Sequence, residues 1–383
     1  MPEFPTTLSR SFSDFFAAEK SSGIVLAVCT LIAMLVANSS AGVDYQAFWH
    51  AHYFGMSVEH WVNDGLMAVF FLFVGLELER ELYSGELADL RKALLPIVAA
   101  VGGVALPAGL HFALNAGSAT QAGSGIPMAT DIAFALGVLA LLGERVPLSL
   151  KVFLTALAVI DDLAAIIVIA VFYTADLAPL YLGAALAVFA ALVVLNRLRV
   201  MALAPYLLGG ALMWFLMLRS GIHATLAGVL LAFAIPYSAR AEDEKSPSHR
   251  LEHGLHKPVA FAILPIFALA NTGIVIGAGW YFELLTPNSL GILAGLVLGK
   301  PLGITLACLL GVATGICRLP GELRWGHVIG AGCLGGIGFT MSIFITNLAF
   351  AGNAELINAA KIAILLASLA AGTLGYFSLR SVR

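Results

Sequence analysis

Five charged side chains lie well inside long apolar segments of this 383-residue chain, and four of them are the main candidates for chemistry. Asp161 and Asp162 are adjacent in the run Ala-Leu-Ala-Val-Ile-Asp-Asp-Leu-Ala-Ala-Ile-Ile, and Asp131 and Lys300 interrupt two other apolar runs. Three carboxylates therefore accompany one ammonium group. If all four were ionised in a low-dielectric interior, about two negative charges would be uncompensated, which is very unfavourable. The sequence predicts that this group takes up protons or cations.

Carboxylate oxygens are hard ligands that suit hard metal cations. The same oxygens cannot hold a proton and a cation at full strength, so competition for them is the minimum requirement for exchanging one for the other. Neighbouring residues on a helix point about 100° apart, so Asp161 and Asp162 can address two partners around one cavity. Lys300 is either the counter-ion of an aspartate or itself a proton carrier. Structural carboxylates are the alternative, and for Asp64, in another apolar run, both interpretations are equally open.

The elements that must position these groups are membrane-spanning helices. Hydrophobic residues make up 60% of the chain and charged residues 11%, less than half of the roughly 25% in soluble domains. So few charges cannot cover the surface of a soluble fold. The balance of 20 basic and 23 acidic residues gives no basic face for nucleic acid. A span needs about 20 mostly apolar residues, and twelve are predicted, beginning near residues 22, 58, 93, 123, 147, 179, 203, 221, 254, 289, 325 and 355.

Basic residues predict the orientation, because cytoplasmic loops are enriched in Lys and Arg. With the N-terminus inside, every one of the 20 except Arg219, Lys300 and Lys361 falls in an inside segment. We therefore predict a single polytopic membrane domain over residues 1–383, with both termini cytoplasmic. The polar residues 238–257 are predicted to be a loop. Residues 39–57, which include a His-x-His pair, are predicted to be an outside surface loop or short hairpin, with a metal site as the alternative.

Two segments are poorly suited to a continuous helix. They cover residues 127–134 and 335–344, and each has a Thr followed four residues later by a Phe. They occupy corresponding places in two three-helix blocks, about residues 93–174 and 289–380. Interrupted helices at matched positions of two halves indicate the binding site of a transporter. Asp131 would balance the partial positive charge at the start of a half-helix.

Glycines recur around Lys300. Gly291, Gly295, Gly299 and Gly303 are spaced four residues apart, so they lie along one face of a helix. Small residues on such a face let the backbone of a second helix approach closely. The helix that carries Lys300 is therefore predicted to pack tightly against a neighbour.

Seven segments, spread over nearly the whole chain, resemble the NhaA-type sodium/proton antiporters of bacterial inner membranes. They are Phe-Phe-Leu-Phe-Val-Gly-Leu-Glu-Leu (70–78), Ala-Thr-Asp-Ile-Ala-Phe-Ala-Leu-Gly (129–137), Ile-Asp-Asp-Leu (160–163), His-Ala-Thr-Leu-Ala-Gly (223–228), Arg-Leu-Glu-His-x-Leu-His (250–256), Gly-Lys-Pro-Leu-Gly (299–303) and Gly-Ile-Gly-Phe-Thr-Met-Ser-Ile-Phe (336–344). The resemblance implies an all-α membrane fold of twelve helices with inverted-topology three-helix repeats, whose fourth and eleventh helices are interrupted and cross at mid-membrane. It also implies a secondary active antiporter, not an enzyme, that exchanges Na⁺ or Li⁺ for H⁺ electrogenically and under pH control, for sodium and pH homeostasis.

By position, the resemblance also implies roles for individual residues. Asp162 matches the principal cation ligand, Asp161 its neighbour in binding and proton exchange, and Lys300 the lysine that pairs with Asp161. Thr130 and Asp131 match residues of the crossing region that balance the helix ends and help to bind the ion. Seven further residues match positions associated with the pH response: Glu77, Arg80, Glu81, Glu252, His253 and His256 in a cytoplasmic cluster, and His223. Histidine titrates near neutral pH, although Glu and His at a cytoplasmic rim are also ordinary solvated groups.

No cofactor is implied, and the predicted partners are the lipid bilayer, the transported Na⁺, Li⁺ and H⁺, and a second copy of the chain. The first outside loop is shorter than the hairpin that joins two protomers in well-known members of the family. Glu79 occupies a position that is basic in some relatives.

Three other functions are weighed against antiport. A sodium-coupled symporter of an organic solute would need polar groups for that solute, and this core offers mainly carboxylates. An intramembrane aspartyl protease also places two aspartates in the bilayer, but it needs a Gly-x-Gly-Asp segment, whereas the aspartates here follow Ala-Thr and Val-Ile. Composition does not separate a transporter from a channel, so kinetics must do so.

Overall fold

The computed structural model describes residues 10–174, 177–238 and 246–382. Within them the chain is almost entirely helical, as predicted, with one two-stranded hairpin. The first part contains α1 (Arg10–Ala37), α2 (Gly42–His50), β1 (His52–Tyr53), β2 (Met56–Ser57), α3 (Val58–His60), α4 (Met67–Tyr83), α5 (Leu90–Asn115), α6 (Ile132–Leu141), α7 (Leu148–Phe172), α8 (Pro179–Arg197) and α9 (Leu203–Leu218). The second part contains α10 (Leu226–Ala234), α11 (Pro247–Pro258), α12 (Leu264–Asn271), α13 (Trp280–Glu283), α14 (Pro287–Ala294), α15 (Lys300–Ala313), α16 (Trp325–Gly335), α17 (Phe339–Ala349) and α18 (Ala354–Ser381).

Six short segments have other helical hydrogen-bond patterns. The π-helical turns join α-helices end to end and are Trp61–Leu66, Val259–Ile263 and Gly295–Gly299. The 3-10 helices are Glu86–Ala88, Ala119–Met128 and Gly143–Arg145. Because π-turns are rare and concentrate at functional sites, the turn that ends directly before Lys300 draws attention to that residue.

Seven of the described helices are long and apolar enough to cross a membrane, counting helices that continue through a π-turn as one. Three bent pairs of shorter helices raise the number to as many as ten. In hydrocarbon every backbone N–H and C=O must be satisfied within the protein, and a helix does so within its own segment. The structure therefore agrees with the prediction of an all-α integral membrane protein.

Two of the bent pairs coincide with the segments predicted to interrupt helices. The 3-10 helix Ala119–Met128 and α6 differ in direction by 42°, and α16 and α17 by 45°. The two breaks lie against each other, because the N–H of Asp131 donates to the carbonyl oxygen of Ile337 at 2.6 Å. The predicted interruptions are confirmed, but the 3-10 geometry of the first half-helix was not predicted.

The third bent pair, α1 and α2, turns by 113°. Because α2 is a helix, the prediction of a surface loop over residues 39–57 is only partly right. The remainder forms the predicted hairpin, in which His52 pairs with Ser57 and Tyr53 with Met56. Phe54 and Gly55 between the strands both have positive φ, the backbone geometry of a two-residue hairpin turn.

The prediction of a loop over residues 238–257 is wrong for its second half, and residues 239–245 lie outside the described part of the chain. Helix α11 begins at Pro247, directly after Ser246, whose hydroxyl accepts the N–H of His249. Serine at the N-cap and proline at the first helical position are strong start signals. Sequence reasoning missed this helix because α11 is polar and becomes apolar only where it continues into α12.

Helix α15, which carries Lys300, packs backbone to backbone against α5, as its glycines predict. A Cβ at Gly303 would overlap the carbonyl oxygen of Gly102, and one at Gly299 would lie 2.9 Å from the Cα of Pro107. No side chain fits at these points, so only glycine permits the approach. This contact confirms the predicted packing face and fixes Lys300 in the centre of the molecule.

Candidate functional site

Asp161 and Lys300 form a fully buried ion pair. Oδ2 of Asp161, in α7, lies 2.5 Å from Nζ of Lys300 and 2.7 Å from Oγ1 of Thr130. The side chains of both ionic partners have no exposed surface. The ammonium group also donates to the main-chain carbonyl of Met128. The counter-ion role that the sequence offered for Lys300 is therefore present in the geometry.

The partners of this pair come from the helix breaks. Met128 is the last residue of its 3-10 helix, and the carbonyls at a helix end have no partner within the helix. Thr130 lies in the break that follows, and its hydroxyl is within 2.8 Å of the carbonyl oxygen of Gly335 as well as near Asp161. Because a hydroxyl has one hydrogen to donate, Thr130 can donate to only one of these acceptors at a time.

Asp162 has different neighbours from Asp161, as the angular spacing on a helix predicts. Its side chain is only 3% exposed. Its Oδ1 atom is buried, and no described residue donates a hydrogen bond to it. Oδ1 of Asp161 is likewise buried without a donor from the described residues. Because a buried carboxylate oxygen without a partner is costly, a proton or a cation would be stabilised at these two oxygens.

Asp131 connects the two broken helices and has no hydrogen bond to Asp161 among those that the structure gives. Its Oδ1 accepts the N–H of Phe134 at 3.0 Å and so caps α6. Its Oδ2 accepts both the N–H of Thr340 at 3.1 Å and the hydroxyl of Thr340 at 2.5 Å, at the start of α17. A carboxylate placed at two helix N-termini balances the partial positive charge of both. The predicted charge-balancing contact is therefore present.

Within the described part of the chain, no three or more His, Cys, Asp or Glu side chains converge as a preformed metal centre. The oxygens available near the helix breaks belong to Asp161, Asp162 and Thr130, together with main-chain carbonyls. Oxygen ligands suit hard cations such as Na⁺. Such an incomplete set of oxygen ligands is suited to a cation that binds reversibly.

The residues predicted for the cytoplasmic cluster come together at the end of α4. The guanidinium group of Arg80 lies 3.1 Å from the carboxylate of Glu81, 3.5 Å from that of Glu77 and 3.2 Å from that of Glu252. Glu252 belongs to α11, so Arg80 joins this polar helix to α4. One cation thus holds together all three acidic residues that were predicted here.

The two predicted histidines of this cluster are placed less centrally. His253 is exposed, and His256 packs its ring against Phe73, with 5.8 Å between the ring centroids. His249, which was not predicted, has its Nδ1 at 3.9 Å from the carboxylate of Glu252. The spacing of three residues on a helix could have indicated this pair, but only once α11 was known to be a helix.

His223 lies apart from the cytoplasmic cluster. It is located between α9 and α10, and its Nε2 is 2.6 Å from the carbonyl oxygen of Tyr173, at the end of α7. It lies close enough to Asp64 to feel the charge of that carboxylate, and Asp64 is separated from Arg80 by about 24 Å of helix. Asp64 itself pairs with His60 at 2.7 Å, which favours the structural interpretation of this aspartate.

Comparison with known proteins decides the family. The model of the family described as Na⁺/H⁺ antiporter 1 matches residues 13–379. The chain belongs to this family. It is 71% identical to the protein named Na(+)/H(+) antiporter NhaA of Dechloromonas aromatica, over 98% of this chain and 97% of that one. It is 57% identical to a protein of the same name from Flavobacterium psychrophilum, over 97% and 96% of the two chains.

Membership of this antiporter family confirms the resemblance drawn from the seven segments, and with it the interpretation as a secondary transporter and not an enzyme. Some contacts of the site were still missed. Ser248 donates to the buried carboxylate of Glu79 at 2.9 Å, and this bond links α11 to α4 a second time. A serine one residue after a proline has no distinctive pattern in the sequence, so no local signal marked it.

Proposed function

We propose that the protein exchanges Na⁺ or Li⁺ for H⁺ across the bacterial inner membrane, with Asp161 and Asp162 as the exchanging carboxylates. The observation that carries the proposal is Oδ1 of Asp162, which is buried beside the Asp161–Lys300 pair and receives no donor from the described residues. A proton or a cation stabilises this oxygen, and the two compete for it. The names of the relatives, Na(+)/H(+) antiporter, support this pair of substrates.

The exchange follows from alternating access to the aspartates. When the site is open to the cytoplasm, Asp161 and Asp162 release protons and bind the cation, with Thr130 as a further oxygen ligand and Asp131 holding the helix ends in place. When it is open to the outside, the cation leaves and the carboxylates are protonated again. The cycle moves net charge, so the membrane potential contributes about 2.3 kcal/mol per charge per 100 mV. Each pH unit contributes about 1.4 kcal/mol per proton.

Lys300 has a defined part in this cycle. Its ammonium group is shared between Oδ2 of Asp161 and the carbonyl of Met128. A cation that binds Oδ2 competes with the ammonium group for the same oxygen. Lys300 then either keeps its proton and remains with Met128, or loses the proton and carries it, which are the two roles that the sequence left open.

The finer architecture that we propose is twelve spans with both termini cytoplasmic in a single membrane domain. The described part of the chain has seven long helices and three bent pairs, up to ten candidate spans. In this proposal the segments that contain the shorter α9 and α10 are the other two. Each three-helix block, residues 93–174 and 289–380, contains one broken helix in its middle. Two blocks of opposite orientation would bring these breaks face to face at mid-membrane, which is the inverted repeat expected of the family.

The cluster around Arg80 is our candidate for the pH response. Three carboxylates share one cation, so any change in their protonation alters the contacts between α4 and α11. The imidazole of His249, with Nδ1 at 3.9 Å from the carboxylate of Glu252, lies beside this cluster. His223 is a second candidate, at a distance from this cluster and in contact with the end of α7.

A second copy of the chain is a further proposed partner, and the β1–β2 hairpin is the surface to test. Phe54 at its tip is 97% exposed. A Phe54→Cys variant should cross-link to a dimer in membranes if two hairpins meet, and should remain monomeric if they do not.

The decisive experiment is the collapse of a respiration-driven pH gradient in everted membrane vesicles on addition of NaCl, LiCl or KCl at several pH values. We expect Na⁺ and Li⁺ to collapse the gradient, K⁺ to leave it intact, and activity to rise at alkaline pH. Vesicles from cells that lack the protein are the control. If no cation dissipates the gradient although folded protein is present, antiport is wrong and a sodium-coupled symporter becomes the better interpretation.

A further inference from the structure

Three asparagine side chains from three helices meet at the opposite end of α4 from Arg80. Asn63 lies in the π-turn Trp61–Leu66, Asn271 is the last residue of α12, and Asn347 is in α17. Nδ2 of Asn271 lies 2.8 Å from Oδ1 of Asn63, and Nδ2 of Asn347 lies 2.6 Å from Oδ1 of Asn271. On the orientation proposed above, this amide cluster, Asn63, Asn271 and Asn347, faces the outer half of the membrane.

The hydrogen bonds fix the direction of each amide. Asn271 is 1% exposed, and its Nδ2 also donates to the carbonyl oxygen of Phe267 at 3.0 Å, so its Oδ1 must face Asn347. The amide of Asn347 must then present nitrogen to Asn271, because two oxygens in contact would repel. Its own Oδ1 is left buried, and no described residue donates to it. A buried acceptor without a donor calls for an explanation such as an ion or an ordered water.

Three buried aromatic rings separate the amide cluster from the broken helices. The ring of Phe344 lies 5.5 Å from that of Phe71 and 6.4 Å from that of Phe267, measured between centroids. These rings come from α17, α4 and α12, the same three sets of helices that supply the amides. Asn347 follows Thr340 by seven residues, so it lies about 10 Å along α17 from the contact between Thr340 and Asp131.

We propose that the amide cluster is a second cation site, on the outer half of the exchange pathway, which binds the transported Na⁺ or Li⁺ through amide oxygens. The aromatic rings close the path between this site and the aspartates in the conformation described here. The proposal rests on the proposed antiport and adds a transient binding site for the ion, separate from the carboxylate site. Asn347 supplies the unused oxygen, and Asn63 and Asn271 supply two more when the cluster opens.

Neutral amide oxygens suit a transient cation-binding site. They are hard ligands of the kind that coordinate cations in proteins, but they carry no net charge that would hold the ion permanently. A cation that passes an apolar ring layer must shed water, and amide oxygens replace part of its hydration shell. Loss of the cluster is therefore expected to change the apparent KM for Na⁺ on the outer face of the membrane and not on the cytoplasmic face.

The test compares Asn347→Leu with wild type on the two faces of the membrane. Right-side-out vesicles expose the outer face, and ²²Na⁺ uptake gives the apparent KM for outside Na⁺. Everted vesicles expose the cytoplasmic face, and collapse of the pH gradient gives the apparent KM there. We expect the outside KM to rise about tenfold, the equivalent of about 1.4 kcal/mol of lost binding, with the cytoplasmic KM changed less than about twofold.

Two further variants keep the result interpretable. Asn347→Gln retains both the amide oxygen and an amide N–H donor for Oδ1 of Asn271, so its outside KM should stay close to that of the wild type. Asn358→Leu is the matched control, because Asn358 is an asparagine outside the cluster whose amide donates to the backbone carbonyl of Val275. It should leave the KM values on both faces unchanged.

An unchanged outside KM in Asn347→Leu would overturn the second site and leave water as the partner of Oδ1. An equal change on both faces, or an outside KM in Asn347→Gln as high as that in Asn347→Leu, would also overturn it, because either result indicates only a structural contact. Failure of the wild type to exchange Na⁺ for H⁺ would instead refute the proposed function itself.

Discussion

Lys300 in the protein interior has no exposed surface and pairs with one carboxylate, whereas the side chain of Arg80 at the end of α4 is 34% exposed and reaches three. Around Lys300 the carboxylates outnumber their partners, and Oδ1 of Asp162 stays buried without a donor from the described residues. Around Arg80 the same excess of acid is partly solvated, so water and salt reduce its cost.

This difference separates two tasks. A buried carboxylate without a partner must bind something, so the interior group is suited to carrying protons and cations. The carboxylates around Arg80 are only 7–14% exposed, but they share a cation that reaches solvent, so a change in their charge alters a contact between two helices. Four substitutions test the contrast, and we order them by the size of the expected effect.

Asp162→Asn should have the largest effect on transport. The variant loses the charge that binds the cation, and we expect exchange to fall by more than about 100-fold, the equivalent of about 2.7 kcal/mol of binding. Because the substitution also removes a buried charge without a partner, the thermal midpoint in detergent should stay the same or rise. Na⁺-dependent collapse of the pH gradient in everted vesicles measures the first effect, and a thermal melt the second. Exchange at the wild-type rate would mean that Asp162 is not the site.

Lys300→Gln should have the largest effect on stability. Removal of one partner from a buried ion pair leaves the other charge uncompensated and typically costs about 3–5 kcal/mol. The double variant Asp161→Asn with Lys300→Gln should recover much of this loss, because neither buried charge remains. Thermal unfolding of the wild type and the three variants in one detergent measures the coupling. Simple additivity of the two single effects would show that the pair does not interact as its geometry indicates.

Thr340→Val tests whether the crossing of the broken helices depends on one charge-assisted bond. The variant loses the hydroxyl donor to Asp131 but keeps the N–H donors of Thr340 and Phe134. We expect a destabilisation of about 1.5–3 kcal/mol, the usual value for a hydrogen bond to a charged group. Thr373→Val is the control, because its hydroxyl donates only to a carbonyl within its own helix. An equal loss of stability in both variants would show that the hydrogen bond to Asp131 contributes no more than an ordinary bond within a helix.

Arg80→Gln should have the smallest effect on stability and a distinct effect on pH dependence. Each partly exposed ion pair contributes no more than about 1 kcal/mol. Without the guanidinium group the surrounding carboxylates retain protons to higher pH, so the activity curve should move by about one unit to alkaline pH. Vesicle assays over roughly pH 6 to 9 measure this shift of the activity curve. Arg250→Gln, on the same helix as Glu252, is the control variant. A curve that keeps its midpoint would place the pH response elsewhere, with His223 as the next candidate.

The sequence predicted the chemistry of the centre better than its geometry. Charged residues in apolar runs are conspicuous because burial makes them expensive, and this reasoning found Asp161, Asp162, Asp131 and Lys300. The glycine row predicted the contact of α15 with α5 for a similarly local reason. Contacts between distant segments left no such signal, so the bonds of Thr130 to Gly335 and of Ser248 to Glu79 could not be predicted from spacing.

Predictions of secondary structure failed where polarity was taken as a sign of a loop. Helix α11 is polar and amphipathic, and its start depends on Ser246 and the proline that follows, which are weaker signals than an apolar run. The π-turn before Lys300 was missed because a change from a four-residue to a five-residue hydrogen-bond step depends on packing and not on composition. His223 was assigned to the pH response by resemblance alone, and the sequence did not predict its contact with the carbonyl of Tyr173 at the end of α7.

The bonds between Asp131 and Thr340 also set an order of events during synthesis. The two residues are 209 positions apart, and a ribosome that adds about 5–20 residues per second needs roughly 10–40 s to cover that distance. Until α17 emerges, the first broken helix has a charged end with no partner from the second. The two blocks therefore cannot mature one after the other as independent units. The first block must remain in the membrane without this contact until the last quarter of the chain has been synthesised.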